Sequence, residues 1–125
     1  MFASAINDNN KRRLKKMKLI TKEISKKAQA AFGVYSTTEF AEQEVIAKFF
    51  DPAGSWTWYL LNQNPQDTDY LWGIVDGFEV EVGSFSLSEL QTARNHLGIG
   101  IERDLYFKPT NAQHLLDSLN AKERE

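Results

Sequence analysis

The sequence predicts a single α+β domain in which a four-stranded antiparallel meander, with or without a fifth short strand, packs against about three helices. Runs of branched and aromatic residues separated by short turn sequences predict the strands. Segments with apolar residues at helical spacing stand before and after those runs, which indicates helices segregated from the sheet. The chain has 125 residues, of which 42% are hydrophobic, and this suffices for one core.

The chain divides into three segments. Residues 1–16 are polar and then basic, without an apolar face, which predicts a flexible extension. Residues 17–120 hold the predicted domain, and the polar residues 121–125 are expected to fray. The extension lacks the apolar stretch of a secretory signal, and no apolar run reaches the ~18 residues that span a bilayer. We therefore expect a cytoplasmic protein.

The first predicted helix covers about residues 21–32. Thr21 suits the N-cap because its hydroxyl can accept a free backbone N–H of the first turn. Apolar residues recur at helical spacing from Ile24 and Ala28 onward, and Gly33 is the predicted stop.

Two turn sequences organise the predicted meander. Asp51-Pro52-Ala53-Gly54 has the chemistry of a type I turn, because Asp, Pro and Gly are favoured at its first, second and fourth positions. Asp76-Gly77 indicates a two-residue hairpin turn, which needs a positive φ at both central positions. The predicted strands are residues 45–50, 56–61, 70–75 and 78–82, and residues 62–69 are predicted to form a polar loop.

The fourth predicted strand alternates cleanly. Phe78, Val80 and Val82 fall on one face, and Glu79 and Glu81 fall on the other.

Two capping boxes mark the later helices. Ser86 and Glu89 can satisfy each other's backbone N–H groups at the start of a helix that runs to about Asn95. Thr110 and Gln113 form the second box, at the start of the last helix. The segment between them, residues 101–107, has the composition of a short strand.

The formal net charge of −2 conceals an uneven distribution. Residues 1–31 hold nine basic and two acidic residues, a charge of +7. Residues 32–106 hold three basic and twelve acidic residues, a charge of −9, and the remainder balances. Such opposite halves indicate two interaction surfaces of different kinds.

Several chemistries are excluded or disfavoured by composition. The chain has no cysteine, so it forms no disulfide, thiolate nucleophile or cysteine–zinc site. His96 and His114 stand alone in helical contexts, where a structural or exposed histidine is the usual case. No nucleophile elbow and no phosphate-binding loop occurs. We therefore predict no catalytic residue, no metal ligand and no cofactor.

Carboxylates are the most numerous candidate functional groups. Glu79 and Glu81 share one predicted strand face, and Glu102 and Asp104 share another with Arg103 opposite. Such pairs can hold a magnesium ion or act as acid and base, but a solvated face with local ion pairs is the favoured interpretation. A third interpretation is an acidic surface that docks on a basic groove. Its candidate residues are Asp67, Asp69, Asp76, Glu79, Glu81, Glu102 and Asp104.

Aromatic and basic residues allow a nucleic-acid interpretation. Aromatic side chains on a sheet can stack bases, but the predicted sheet is acidic, so a core role is favoured for Trp56, Trp58, Tyr59, Tyr70 and Trp72. Phosphate contacts fit the basic N-terminal segment better. Its candidate residues are Lys11, Arg12, Arg13, Lys15, Lys16, Lys18, Lys22 and Lys26.

Several ordered blocks of sequence carry a resemblance to a known family. They are residues 17–24, 48–50, 56–59, 73–79, 85–90 and, most distinctively, 100–107 (GIERDLYF). From Met17 onward the chain resembles the family catalogued as domain of unknown function 2958. The resemblance implies a small accessory protein encoded by phages, plasmids or integrative elements, among which inhibitors of host defence are common. It supplies no established activity and no functional residue.

Three functions remain in competition at this point. The first is a non-enzymatic accessory protein of a phage or mobile element that binds a protein partner through the acidic surface. Its expected target is a host-defence nuclease complex, in the manner of an anti-CRISPR or anti-restriction protein. The alternative is a nucleic-acid-binding factor that uses the basic N-terminal segment. The second alternative is a metal-assisted hydrolase that uses the sheet carboxylates.

Overall fold

A computed structural model describes residues 18–123, so the predicted extension at residues 1–16 lies outside it. The helices are α1 (Lys22–Val34), α2 (Leu87–Thr92) and α3 (Ala112–Glu123), and short 3₁₀ turns cover Tyr35–Thr37 and Phe40–Glu42. The strands are β1 (Glu44–Val45), β2 (Ala47–Phe50), β3 (Thr57–Asn64), β4 (Asp67–Asp76), β5 (Val80–Ser86), β6 (Glu102–Arg103) and β7 (Thr110–Asn111).

Five strands form an antiparallel sheet in the order β5-β4-β3-β2-β6. The predicted meander is confirmed as β2 to β5, and the fifth short strand is β6. Strands β1 and β7 form a separate antiparallel pair, which brings the start of the last helix beside the first strands. The described chain is thus a single α+β domain, as predicted.

Helices cover both faces of the five-stranded sheet. On one face, Ala28 of α1 and Leu90 of α2 are buried with Phe49 and Leu60 of the sheet. On the other, Ala112 of α3 is buried with sheet residues that include Tyr59 and Ile74. The two faces are called the α1 face and the α3 face below. No helix within residues 18–123 is long and apolar enough to span a membrane.

Helix α1 begins as predicted and ends later. The Thr21 hydroxyl accepts the Ile24 N–H at 3.1 Å, which confirms the N-cap. Gly33 does not end the helix, which continues to Val34. Gly33 does not have a positive φ, so it does not adopt the left-handed conformation by which a glycine ends a helix.

The predicted polar loop at residues 62–69 is wrong. Strand β3 continues to Asn64 and β4 begins at Asp67. Gln63 is only 2% exposed, yet both its amide oxygen and its amide nitrogen are hydrogen-bonded. Its Oε1 accepts hydrogen bonds from Ser25 Oγ at 2.7 Å and Gln29 Nε2 at 3.2 Å, and its Nε2 donates to the Thr68 carbonyl at 2.7 Å. The polar residue Gln63 thus belongs to a buried hydrogen-bond network between the sheet and α1. Its partners on α1 offset the cost of removing its amide group from water.

The turn at Asp51–Gly54 is confirmed. The Gly54 N–H donates to the Asp51 carbonyl at 3.2 Å, and Asp51 Oδ1 accepts the Ala53 N–H at 3.0 Å. Asn95 Nδ2 donates to the same oxygen at 2.8 Å. The hydrogen bond from Asn95, and to a smaller extent that from the Ala53 N–H, lower the pKa of Asp51 because they stabilise its charged form.

The later boundaries need correction. Helix α2 ends at Thr92, before the predicted Asn95, and the predicted strand at 101–107 is reduced to Glu102–Arg103. Thr110 is in β7, so it does not cap the last helix. Asn111 does so instead, because its Oδ1 accepts the His114 N–H at 3.0 Å.

Candidate protein-binding surface

The seven predicted acidic residues do not form one surface. Strands β5 and β6 are the two edges of the sheet, about 19 Å apart at ~4.8 Å per strand. The carboxylates therefore separate into three groups at different places. The groups are Asp67 with Asp69 at the β3–β4 end, Glu79 with Glu81 at the β4–β5 hairpin, and Asp76, Glu102 and Asp104 on the α3 face.

Asp69 holds the start of α2. Its Oδ2 accepts the Ser86 hydroxyl at 2.7 Å, and its Oδ1 accepts the Ser88 N–H at 2.7 Å. These bonds lower the pKa of Asp69, with the Ser86 bond contributing most. The predicted capping box is half formed: the Glu89 N–H donates to Ser86 Oγ at 3.2 Å, but within residues 18–123 the Glu89 side chain accepts no hydrogen bond from the Ser86 N–H. Asp69 thus has a structural role.

A mixed-charge group lies on the α3 face. Lys48 Nζ lies 3.8 Å from Asp104 Oδ2 and 5.9 Å from the centre of the Tyr59 ring. Burial raises the pKa of the Tyr59 hydroxyl, and the carboxylates of Asp76 and Asp104 raise it further. The hydroxyl therefore stays neutral at physiological pH. The positive charge of Lys48 compensates the negative charge of Asp104. The mixed-charge group on the α3 face is therefore not a free acidic surface.

Arg103 lies on the opposite face from Glu102, as predicted. Glu102 pairs with Phe50 and Arg103 pairs with Phe49, whose side chain is buried on the α1 face. The Arg103 guanidinium donates to the carbonyls of Lys18 and Leu19.

The β4–β5 hairpin differs from its prediction. Strand β5 begins at Val80, so Gly77, Phe78 and Glu79 form a three-residue loop, and Phe78 is not part of an apolar strand face. The predicted turn with two positive φ angles is wrong, because Gly98 is the one described residue with a positive φ. Glycine is required at position 77 for another reason, because a Cβ there would lie only 2.5 Å from Cζ3 of the Trp56 ring. The indole packs directly on the glycine.

Phe78 is the most exposed large apolar side chain of the hairpin. It is 92% exposed, and it meets Trp56 edge-on with ring centres 5.2 Å apart at 84°. Trp56 in turn lies 6.0 Å from Trp58. These rings form a line from the core to the tip of the hairpin, so Phe78 projects into solvent from a supported position.

A shallow groove of about 200 Å³ runs beside this line of rings. Glu79 and Glu81 line it together with Trp56 and Phe78. Both glutamates are exposed, and within residues 18–123 the single ion pair is that of Lys48 with Asp104. Their charges are thus free of a close cation from the described chain. We call Trp56, Phe78, Glu79 and Glu81 the hairpin surface.

Sequence reasoning missed the part that aromatic residues play in this surface. Trp56 and Tyr70 were assigned to the core, but Tyr70 is 41% exposed and Trp56 is half-buried at the groove. Tyr59 is buried and Trp58 and Trp72 pack against the core, as predicted. The exposure of Phe78 could have been predicted from its position directly after Asp76-Gly77, at the tip of a hairpin.

Only some of the basic residues predicted to bind nucleic acid lie within the described residues. Lys11, Arg12, Arg13, Lys15 and Lys16 lie outside the described residues. Lys18, Lys22 and Lys26 are exposed, the last two one turn apart on α1.

The histidines and carboxylates of residues 18–123 were candidates for a metal site. His96 and His114 are both exposed. In the described part of the chain, no three His, Asp or Glu side chains are grouped so that they could hold a metal ion.

The strands and helices described above define this molecule first as a single α+β domain. The family model described as "Protein of unknown function (DUF2958)" matches residues 19–119, and the chain belongs to this family. No curated protein and no solved structure matches the chain.

Proposed function

We propose that the protein is a non-enzymatic accessory protein of a phage or mobile element that binds a basic protein partner through the hairpin surface. The observation that carries the proposal is the 92% exposure of Phe78 beside two carboxylates that form no ion pair with any residue in 18–123. Exposed aromatic anchors with a charged rim are typical of protein–protein interfaces.

The groove suits an arginine side chain of the partner. A guanidinium can lie over the rings of Trp56 and Phe78 while it forms ion pairs with Glu79 and Glu81. Each of these interactions strengthens when water is excluded on docking. Proteins that bind nucleic acids present basic grooves. We therefore propose a host-defence nuclease complex as the target.

The experiment compares two aromatic residues of equal exposure. Phe78 and Tyr106 are both 92% exposed, and Tyr106 lies outside the hairpin surface. The full chain, Phe78→Ala and Tyr106→Ala are each used as bait in host lysate at low salt, and captured proteins are identified by mass spectrometry. We expect a specific basic protein with the full chain and with Tyr106→Ala, and its loss with Phe78→Ala.

Charge reversal provides a second arm. Glu79→Lys with Glu81→Lys should abolish capture, whereas reversal of the exposed pair Glu39 and Glu42 should not, since those residues lie elsewhere. Capture that survives both Phe78→Ala and the Glu79/Glu81 reversal would refute the proposal.

A second candidate function is nucleic-acid binding through the basic N-terminal segment. The observation that favours it is the exposed pair Lys22 and Lys26, which extends the basic run of the sequence onto α1. Removing residues 1–16 should weaken binding to a DNA or RNA oligonucleotide and reduce its dependence on salt. Fluorescence anisotropy over a series of salt concentrations measures both effects. Equal affinity of the full and shortened chains would exclude this candidate.

A further inference from the structure

Strand β5 (Val80–Ser86) forms one border of the five-stranded sheet. It pairs with β4 on its inner side, and no segment within residues 18–123 pairs with its outer side. Its seven residues match β4 one to one without a register shift, and none of them is buried. The outer side of β5 is therefore a regular row of backbone N–H and C=O groups without a partner strand from the described chain.

The features that commonly block an edge strand are nearly absent from β5. Natural sheets protect their edges with proline, lysine, bulges or very short strands. Strand β5 has none of these, whereas the opposite edge strand, β6, contains only two residues. The one charged side chain of β5 is Glu81, which forms no ion pair with any residue in 18–123. Its negative charge favours a basic segment beside it and disfavours an acidic one.

Glu81 and Val82 project to opposite faces of the sheet at this edge. Glu81 is opposite Val75, which in turn is opposite Trp58, so Glu81 lies on the α1 face. Val82 is opposite the buried Ile74 on the α3 face, and 38% of it remains exposed. The best complement to this edge is therefore a strand with a basic side chain next to Glu81 and an apolar side chain next to Val82.

We propose that β5 binds an extended segment of the partner protein, which adds to the sheet as a sixth strand and alternates basic with apolar residues. Backbone hydrogen bonds to β5 supply the affinity, and the alternating side chains supply the specificity. Because Glu81 also belongs to the hairpin surface, a basic residue opposite it enters the groove beside Trp56. This inference rests on the proposed function, and it adds the conformation and the residue pattern of the segment that the partner contributes.

A peptide with this pattern tests the proposal. The peptide Thr-Val-Arg-Val-Arg-Val-Thr, with both ends blocked, has its arginines on one face and its valines on the other, and it reads the same in both directions. It is titrated into the isotope-labelled full chain, and NMR follows the backbone amides of residues 80–86. We expect shifts along β5 with a Kd of about 0.1–1 mM, and slower hydrogen exchange at the β5 amides that point outward.

Two control peptides separate backbone pairing from simple attraction of charge. In the first, N-methyl groups on the central valine and on the following arginine remove one donor from each edge of the peptide strand, because successive N–H groups point to opposite edges. All its side chains and charges are retained, yet its affinity should fall by about tenfold or more. The second, Thr-Arg-Arg-Val-Val-Val-Thr, has the same composition without the alternation and should bind about fivefold more weakly.

Variants of the protein locate the peptide on the edge strand. Glu81→Lys should weaken the peptide by about fivefold, because like charges then lie side by side across the pair. Glu39→Lys, at an exposed site outside β5, should leave the affinity unchanged. Phe78→Ala should preserve the slower exchange along β5, because Phe78 precedes the strand.

Absence of shifts along β5 at about ten times the expected Kd would overturn the proposal, and so would equal binding of the N-methylated peptide. Sedimentation of the full chain without peptide tests the other possible occupant. We expect a monomer, whereas a dimer with protected outward amides on β5 would assign the edge to a second copy and overturn the proposal. Capture of a basic partner that depends on Phe78, without any effect of the peptide on β5, would retain the proposed function and overturn strand addition alone.

Discussion

Gly73 and Gly83 face each other on β4 and β5, and their surroundings differ sharply. A Cβ at Gly73 would lie 1.8 Å from the Tyr59 carbonyl oxygen, inside the sheet. A Cβ at Gly83 would meet no atom within 4 Å. Glycine is therefore required at position 73, where the backbones of β3 and β4 approach closely. At position 83 no contact requires it.

Alanine substitution should separate these two glycines. Gly73→Ala should reduce the free energy of unfolding by about 3 kcal/mol or more, because backbone of β3 and β4 must move apart. Gly83→Ala should change it by less than about 1 kcal/mol. Urea denaturation followed by tryptophan fluorescence measures both. A small effect at Gly73 would contradict the close approach.

The pKa of Asp69 predicts a pH dependence of stability. Because its pKa is lowered in the folded protein, Asp69 contributes stability above its unfolded value of 3.8. That contribution is lost as the pH falls through the folded pKa. The melting temperature should therefore drop less at acidic pH in Asp69→Asn than in the unchanged protein, and the variant should be less stable at neutral pH.

Asp67→Asn is the matched control for that measurement. Asp67 is on the same strand, and its side chain makes no hydrogen bond within residues 18–123. Its substitution should leave the acid-side fall in melting temperature unchanged. If Asp67→Asn and Asp69→Asn gave the same curve, the capping role of Asp69 would be wrong.

Residues whose roles depend on distant partners escaped sequence analysis. Gln63 was assigned to a loop from its polarity, and its partner Ser25 lies 38 residues away. Gly77 was interpreted through local turn rules, but the Trp56 ring decides its role. Local signals with local partners were predicted correctly, as at Thr21 and Asp51. The difference is physical, since periodicity and capping rules describe neighbours along the chain only.

At the scale of elements, the start of α3 shows how a cap is chosen. Thr110 and Gln113 match a capping box in sequence, but Thr110 is taken into β7, opposite Val45. Asn111 then stands at the helix start, where it caps His114 and donates to the Ala41 carbonyl. Pairing with β1 thus moves the cap by one residue.

Substitution of each candidate cap tests this arrangement. Asn111→Ala should lower the free energy of unfolding by about 1–2 kcal/mol, because the helix loses its cap and the Ala41 carbonyl loses a donor. Thr110→Ala should cost less than half as much. Thermal denaturation followed by circular dichroism at 222 nm suits this comparison. The reverse order would show that Thr110 is the cap.

The strand pair β1–β7 is the part of the fold that the sequence did not predict. Each of these strands contains two residues, too few for an alternating pattern, whereas β6 was predicted but with bounds that were too wide. The four longer strands of the meander and the three helices carry clear periodicity, and all seven were predicted, with shifted boundaries. The carboxylates of the candidate site were predicted from the sequence. Their separation into three groups could not be predicted, because it depends on the order of the strands in the sheet.

At the scale of the whole molecule, Arg103 joins the edge strand β6 to the first described residues of the domain. Its guanidinium donates to the carbonyls of Lys18 and Leu19, 84 residues or more away in sequence. Leu19 is buried at 3% exposure in the core of the α1 face. The bond thus holds the first described residues against the last strand of the sheet.

Two arginine substitutions test this tie. Arg103→Ala should lower the free energy of unfolding by about 1–2 kcal/mol. Arg94→Ala should cost less than about 0.5 kcal/mol, because Arg94 donates to Gln91 and Ala93 of its own segment. Urea denaturation measures both, and hydrogen exchange should increase at Leu19 in the first variant alone. Equal costs would mean that Arg103 makes a local contact only.

The position of Glu81 on an edge strand has a consequence for self-association. Strand β5 is seven residues long and forms one border of the sheet, where another chain can add by backbone pairing. A second copy aligned there in antiparallel register about Glu81 would place like carboxylates side by side, which disfavours pairing. The same charge that we propose attracts a foreign basic partner thus also repels the protein's own copies and limits growth of the sheet into fibres.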